Sequence, residues 1–358
     1  MKISPLNLLP ALIAFSSYAQ PAMTTNYDTL RTASHIPGLN IALLHEAPGT
    51  PTNARTATND YPILFIHGSV IPVNVSFGWR INNYSWMDNL SENGYDVYAL
   101  DFLGYGNSDR YPEMRSNSYT GKLPGRATDV YLDVDKAVDF ICKRTGKNKV
   151  YLIGHSWGGS VAALYAGKFK DKVEKLILYA PITPKPAPAQ PEGPATSSKP
   201  LAPPKPPITH PNATMTPAQR VQTFKDLTPA GKECRMEKEM FTTFGNTWLL
   251  SDPLNPLFKD DSVRFPSGPE QDTEDLLHDK TYYNPADIQA PVLLVRGEWD
   301  NTPDNTQAET LFKALENAPY KKYTVLEKGT HIIHLEKSRF ELYNEVLHFL
   351  HDHPLTPH

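Results

Sequence analysis

The segment Leu152-Ile-Gly-His-Ser156-Trp-Gly-Gly-Ser160 sets a serine between glycines, directly after the apolar run Val150 to Ile153 and before Ala-rich helix-forming sequence. The G-x-S-x-G spacing in a strand, sharp turn, helix context lifts one hydroxyl above a sheet edge. Glycine is needed at 154 and 158 because a Cβ there would collide with neighbouring backbone. Ser156 is therefore the candidate nucleophile. A serine hydroxyl reacts only when a base takes its proton, and the base must itself be oriented by a carboxylate, so both must follow in the chain. The apolar run Val292 to Val295 leads to Gly297-Glu298-Trp299-Asp300 at a strand tip, where active-site groups of parallel sheets gather. Asp300 is the preferred acid. Glu298 falls too close to the strand end and reads as a loop carboxylate, while Asp304, beyond Pro303, reads as a helix cap. For the base, His331 follows the loop Lys328-Gly329-Thr330 and competes with His334. His331 is preferred, and His334 reads as a packing histidine heading into the final helix. A tetrahedral intermediate also needs N–H donors for its oxyanion. Trp157 supplies one, and Ser69, in Phe65-Ile-His67-Gly68-Ser69-Val70, supplies the other. His67, directly before that glycine, reads as a residue bracing the loop.

These residues need a sheet to hold them. Short apolar runs at Ile41 to Leu44, Ile63 to Ile66, Val97 to Leu100, Val150 to Ile153, Leu176 to Tyr179, Val292 to Val295 and Tyr323 to Leu326 alternate with helical patterns. The helices are expected at about Trp79 to Ser91, Ala127 to Arg144, Ser156 to Phe169, Asn305 to Leu315 and Ser338 to His351. Near-continuous apolar strands between helices predict an α/β fold with a mostly parallel, doubly wound sheet. The alternation stops at Pro181 to Pro211, where a dozen prolines predict extended polyproline or disorder. Helical character returns from about Thr216 to Leu250. The division read from the chain is a leader at 1–19, a core made of 20–180 and 285–358, and an insertion at 181–284.

Together these residues resemble the α/β-hydrolase fold family. The resemblance rests on His67-Gly68, on Asp101-Phe-Leu-Gly104-Tyr-Gly106-Asn-Ser108-Asp109, on the Gly154 to Gly158 elbow, on Asp300 and on Gly329-Thr330-His331. It covers roughly residues 35 to 180 and 285 to 352. It implies a serine hydrolase without metal or cofactor, a structural role for Asp101 and Asp109, and a variable lid at the insertion. Epoxide hydrolases and haloalkane dehalogenases of this fold carry aspartate where this chain has Ser156. Proline iminopeptidases share the Ser-Trp pair but have a Gly-rich H-G-G-P-G loop where this chain reads H-G-S-V-I-P, and carbon–carbon bond hydrolases also tend to Gly-rich loops. The expected activity is hydrolysis of a carboxylic ester or lactone of a small organic substrate through an acyl-enzyme. Amide or peptide hydrolysis, with Glu233, Glu237 or the neighbourhood of Glu239 receiving a substrate ammonium, is the alternative. A non-catalytic ligand-binding relative is the third reading.

The rest of the chain sets boundaries. A net charge of -4 with no dense Lys/Arg cluster argues against a nucleic-acid surface. Residues 1–19 join Lys2 to an apolar stretch interrupted by Pro10 and end in small residues, which predicts a cleaved signal peptide and a secreted or periplasmic protein. That stretch is shorter than the roughly 20 residues a spanning helix needs. Cys142 and Cys234 lack metal-binding spacing and read as one disulfide or as two free thiols. Met236, Met240, Phe241, Phe244 and Trp248 read equally as an acyl pocket or as packing. Of the sequons at Asn74, Asn83, Asn89 and Asn212, only Asn212 reads as plainly accessible.

Overall fold

A computed structural model describes residues 27–49, 61–184, 206–278 and 280–352. The leader at 1–19 and most of the proline-rich tract lie outside the described residues. Ten strands are described: β1 (Asp28–Ala33), β2 (Asn40–Glu46), β3 (Ile63–Ile66), β4 (Val97–Asp101), β5 (Val150–His155), β6 (Val173–Tyr179), β7 (Asn212–Met215), β8 (Val263–Pro266), β9 (Val292–Gly297) and β10 (Lys321–Leu326). Eight form one sheet in the order β1-β2-β4-β3-β5-β6-β9-β10. From β4 to β10 every pairing is parallel, and β1 and β2 extend the sheet antiparallel. Each apolar run expected from the sequence is a strand of this sheet. β1 was not expected, because its sequence DTLRTA is largely polar and exposed at the sheet edge.

The central strands are wholly buried because helices cover both faces, as their unbroken apolar runs require. Helices Ala127–Thr145 and Trp157–Lys168 pack on one face. Helices Trp86–Glu92 and Arg339–His351 pack on the other. The expected helix over Trp79 to Ser91 forms only from Trp86. Ser85 starts it by accepting from the Asp88 N–H while Asp88 accepts from the Ser85 N–H, a reciprocal cap worth about 1 kcal/mol. Asn82 and Asn83, both at positive φ, turn the chain just before it.

Within the insertion, β7 and β8 pair antiparallel as a separate ribbon. The helical stretch expected over Thr216 to Leu250 is broken into Pro217–Lys225, Glu239–Thr242 and Phe244–Leu250, and a further helix, Gly268–Leu277, follows β8. Phe224, Met240, Phe244 and Trp248 are buried in the same apolar cluster as one face of the sheet, whereas Phe241 is 44% exposed. The stripe is thus chiefly packing. Asn212 corrects the sequon reading: it is buried, with its side-chain amide donating to the Met114 carbonyl and to Asn117, and Asn83 is the exposed one. Cys142 and Cys234 are both free thiols. Among the described residues no helix is long and apolar enough to cross a membrane.

Candidate active site

The chain leaves β5 at His155 and enters the helix Trp157–Lys168 through Ser156, which sits at φ 57 and ψ -127. A non-glycine residue rarely takes positive φ, so the surrounding packing must enforce it. The glycines allow the approach. A Cβ on Gly154 would lie 2.6 Å from the Gly158 carbonyl oxygen, and one on Gly158 would lie 2.1 Å from the His67 carbonyl oxygen. The turn is therefore closed against both itself and the loop after β3.

Ser156 Oγ lies 2.8 Å from His331 Nε2, and His331 Nδ1 lies 3.0 Å from Asp300 Oδ2. Three residues from three distant parts of the chain meet at the carboxyl ends of β5, β9 and β10. The acidic partner fixes the tautomer: a carboxylate can only accept, so Nδ1 carries the proton and Nε2 offers its lone pair to the serine O–H. Asp300 is buried, and its second oxygen accepts the Thr302 N–H at 2.9 Å. Glu298 and Asp304 lie elsewhere. Glu298 accepts the Lys328 N–H at 2.9 Å and braces the loop that leads to His331, while Asp304 caps the helix Asn305–Ala314.

His331 is also held from behind. Its carbonyl accepts from His155 Nε2 at 2.9 Å and from the Tyr179 hydroxyl at 3.2 Å. His334, buried as a packing residue, faces that same hydroxyl through Nδ1 at 3.1 Å and Ser76 Oγ through Nε2 at 3.1 Å. Because Tyr179 donates to His331, it accepts from His334 Nδ1–H, and Ser76 then donates to Nε2. Burial holds both imidazoles uncharged. It pulls His334 down to about 3 and His155 well below the usual range, and the neighbouring imidazoles add to each shift. The three-imidazole cluster was missed in the sequence. Its one visible signal was a histidine directly before the nucleophile.

At the oxyanion side, Trp157 is the first residue of its helix, so its N–H has no acceptor within that helix. Gly68 packs on Ser156, since a Cβ there would lie 3.2 Å from Ser156 Cβ. Ser69 follows; its carbonyl accepts from the Tyr105 hydroxyl, and its N–H finds no acceptor among the described residues. His67 braces this loop. Its Nε2 accepts the Phe102 N–H at 3.2 Å, so Nδ1–H donates to the Gly68 carbonyl at 2.6 Å, and burial lowers its pKa to about 4. Asp101 is likewise structural, accepting the Val73 and Asn107 N–H groups. Asp109 pairs with Arg31.

The insertion reaches the elbow directly. Asp272, on the helix Gly268–Leu277, accepts the Trp157 indole N–H at 2.9 Å and the Ala127 N–H at 2.6 Å, and pairs with Arg126 at 2.5 Å. Nothing in the sequence around Asp272 pointed to this contact. Ser156 is 7% exposed beneath the insertion.

Comparison with known proteins agrees with this geometry at the level of fold. Among curated relatives, human epoxide hydrolase 4 is 39% identical over 97 residues, 26% of this chain and 24% of that protein. The proline iminopeptidase of Lactobacillus delbrueckii subsp. lactis is 30% identical over 124 residues, 34% of this chain and 36% of that protein. The matches thus span well under half of these relatives. Solved structures are similar over far more of the chain. The thioesterase domain from the curacin biosynthetic pathway has a TM-score of 0.56 at 17% identity, covering 90% of this chain and 99% of that one. A serine hydrolase involved in carbazole degradation has a TM-score of 0.55 at 15% identity, with coverage of 90% and 99%. A family model described as the alpha/beta hydrolase fold matches residues 61–338. With that match over most of its length and a mostly parallel sheet carrying the elbow, the chain belongs to the α/β-hydrolase fold family.

Proposed function

We propose that this protein is a hydrolase that uses a serine nucleophile to cleave a carboxylic ester or lactone of a small organic substrate. The observation that carries the reading is the continuous relay from Ser156 Oγ to His331 Nε2 at 2.8 Å and from His331 Nδ1 to Asp300 at 3.0 Å. Ser156 Oγ attacks the carbonyl carbon as His331 Nε2 takes its proton, and the carbonyl electron pair moves onto oxygen. The Trp157 and Ser69 N–H groups stabilise that oxyanion. Its collapse expels the alkoxide, which takes the proton from His331 and leaves an acyl-serine. Water, deprotonated by His331, then attacks the acyl carbon and releases the acid, returning the proton to Ser156.

Similarity to epoxide hydrolases does not carry over their aspartate nucleophile, because Ser156 occupies that place. The amide-cleaving alternative asks for a free lid carboxylate to receive an ammonium. Glu233 is paired with Lys337 and Glu237 with Arg339, which leaves the amide reading to Glu239, a carboxylate that accepts the Asn82 N–H.

The test is hydrolysis of p-nitrophenyl esters from acetate to laurate, with fluorophosphonate labelling, for the wild type and Ser156→Ala. Turnover and labelling are expected in the wild type and should vanish together in the variant. Labelling that survives the substitution would sink the assignment of the nucleophile.

A further inference from the structure

The helix Pro217–Lys225 carries a cation without a counter-ion. Thr216 caps this helix reciprocally with Gln219, and one turn on, Arg220 and Phe224 share a face at i, i+4. The Arg220 guanidinium carbon lies 4.2 Å from the centre of the Phe224 ring. That ring meets Phe244 edge-on at 5.7 Å, and Phe244 meets Trp79 edge-on at 6.0 Å. Arg220 is thus seated on an aromatic wall that joins the insertion to the segment after β3. Its Nε is enclosed with no hydrogen-bond acceptor, as is the indole N–H of Trp79.

The buried arginines among the described residues all have acceptors, whereas Arg220 is half-buried. Arg264 meets Asp260, Arg339 meets Glu237, Arg110 bonds four carbonyls beside Asp252, and Arg296 bonds Asn305 and two carbonyls. Arg220 pairs with no carboxylate among the described residues. Burial lowers its pKa to about 10 with no opposing acid. An uncompensated charge in such a place costs several kcal/mol unless a ligand supplies the anion.

The cation's charge reaches the reaction centre, adding to burial and the neighbouring imidazoles in lowering the pKa of His155, whose Nε2 holds the His331 carbonyl. The aromatic wall runs the same way. The Trp79 backbone N–H donates to the Ser76 carbonyl, Ser76 Oγ bonds His334, and Phe77 stacks edge-on to His155 at 6.4 Å.

We propose that Arg220 receives a carboxylate carried by the substrate, so that the preferred substrates are monoanionic esters bearing a free carboxylate group away from the scissile bond. This rests on the serine-hydrolase reading of Ser156 for where the ester lies. The carboxylate subsite itself is a binding property. A guanidinium offers a planar fork of donors to a carboxylate, and a charge-assisted pair in a low-dielectric enclosure discriminates strongly against a neutral analogue. The aromatic wall would hold the apolar part of the same molecule.

The test uses binding, so that a failure of catalysis and a failure of the subsite stay distinct. Ser156→Ala is titrated calorimetrically with monomethyl esters of C4 to C10 diacids and with the matching dimethyl esters. At least one monoanion should bind tenfold or more tighter than its neutral counterpart. Arg220→Gln in the same background should erase that preference while leaving the thermal midpoint unchanged or raised, because it removes a half-buried charge that has no counter-ion. Arg220→Lys should retain part of the preference. A series in which no monoanion binds better than its diester overturns the proposal, as does a preference that survives Arg220→Gln.

Discussion

His331 is pinned at both ends, by Asp300 at Nδ1 and by His155 and Tyr179 at its carbonyl, so ring and backbone are fixed independently. The acid's role is to set the tautomer. An amide in its place would present an N–H to Nδ1, move the ring proton to Nε2 and leave Ser156 without an acceptor. Asp300→Asn is therefore expected to lower kcat on the order of 10^4-fold with a much smaller effect on KM; steady-state kinetics on the best p-nitrophenyl ester checks it. A drop below about tenfold, too small for a tautomer switch, would point to another acid. The three residues were legible in the sequence because chain order and the strand-tip position limit the choices. His155, Tyr179 and Arg220 were not, since their roles come from neighbours 152 to 176 residues away, or from a helix that folds over the site.

The elbow shows how an element makes a site. β5 and the helix Trp157–Lys168 meet with almost no space between them, and the contact distances at Gly158 say what a methyl group would do. Gly158→Ala would place a Cβ 2.1 Å from the His67 carbonyl oxygen and 2.6 Å from that of Ile66. It should cost more than about 3 kcal/mol in urea unfolding and abolish turnover. Gly146→Ala, at φ 72 but with no atom near the added Cβ, should cost only about 1 kcal/mol. Equal costs would mean that conformation and not contact decides. Elements with a strong pattern were readable to within a residue, as the helix Ala127–Thr145 was, expected to end at Arg144. The late start at Trp86 was not, because apolar Trp79 and Ile81 mimic a helix, whereas Trp79 packs edge-on against Phe244 and Ile81 bridges to Tyr84. The helix Gly268–Leu277 was also missed; its short polar sequence gives little periodicity.

At the scale of the whole molecule, burying neutral imidazoles ties folding to pH. His67, His155 and His334 are all held below the ordinary value of 6.5 by burial. The unfolded chain binds protons below about pH 6.5 while the native state refuses them, so stability falls as pH drops from there toward each native value. Each imidazole contributes about 1.4 kcal/mol per pH unit in that window. Asp101 and Glu336, raised by burial, act in the opposite direction at lower pH, so the clean measurement is a difference between variants. His67→Asn should lose about 2 kcal/mol less than the wild type between pH 7.5 and pH 5.0 in urea unfolding. Identical losses would mean that His67 is charged in the native protein or that the loop opens.

The contact of Asp272 with the Trp157 indole and the Ala127 amide bears on how such enzymes can be recombined. The insertion is not a detachable module laid over a finished scaffold, because the first residue of the helix after Ser156 completes its hydrogen bonding with an insertion carboxylate. A chimera that replaced the insertion with a relative's would orphan two buried donors, the Trp157 indole and the Ala127 amide. A workable exchange would carry the carboxylate along or change Trp157 in the same step, so specificity and scaffold in this chain are inherited as a pair.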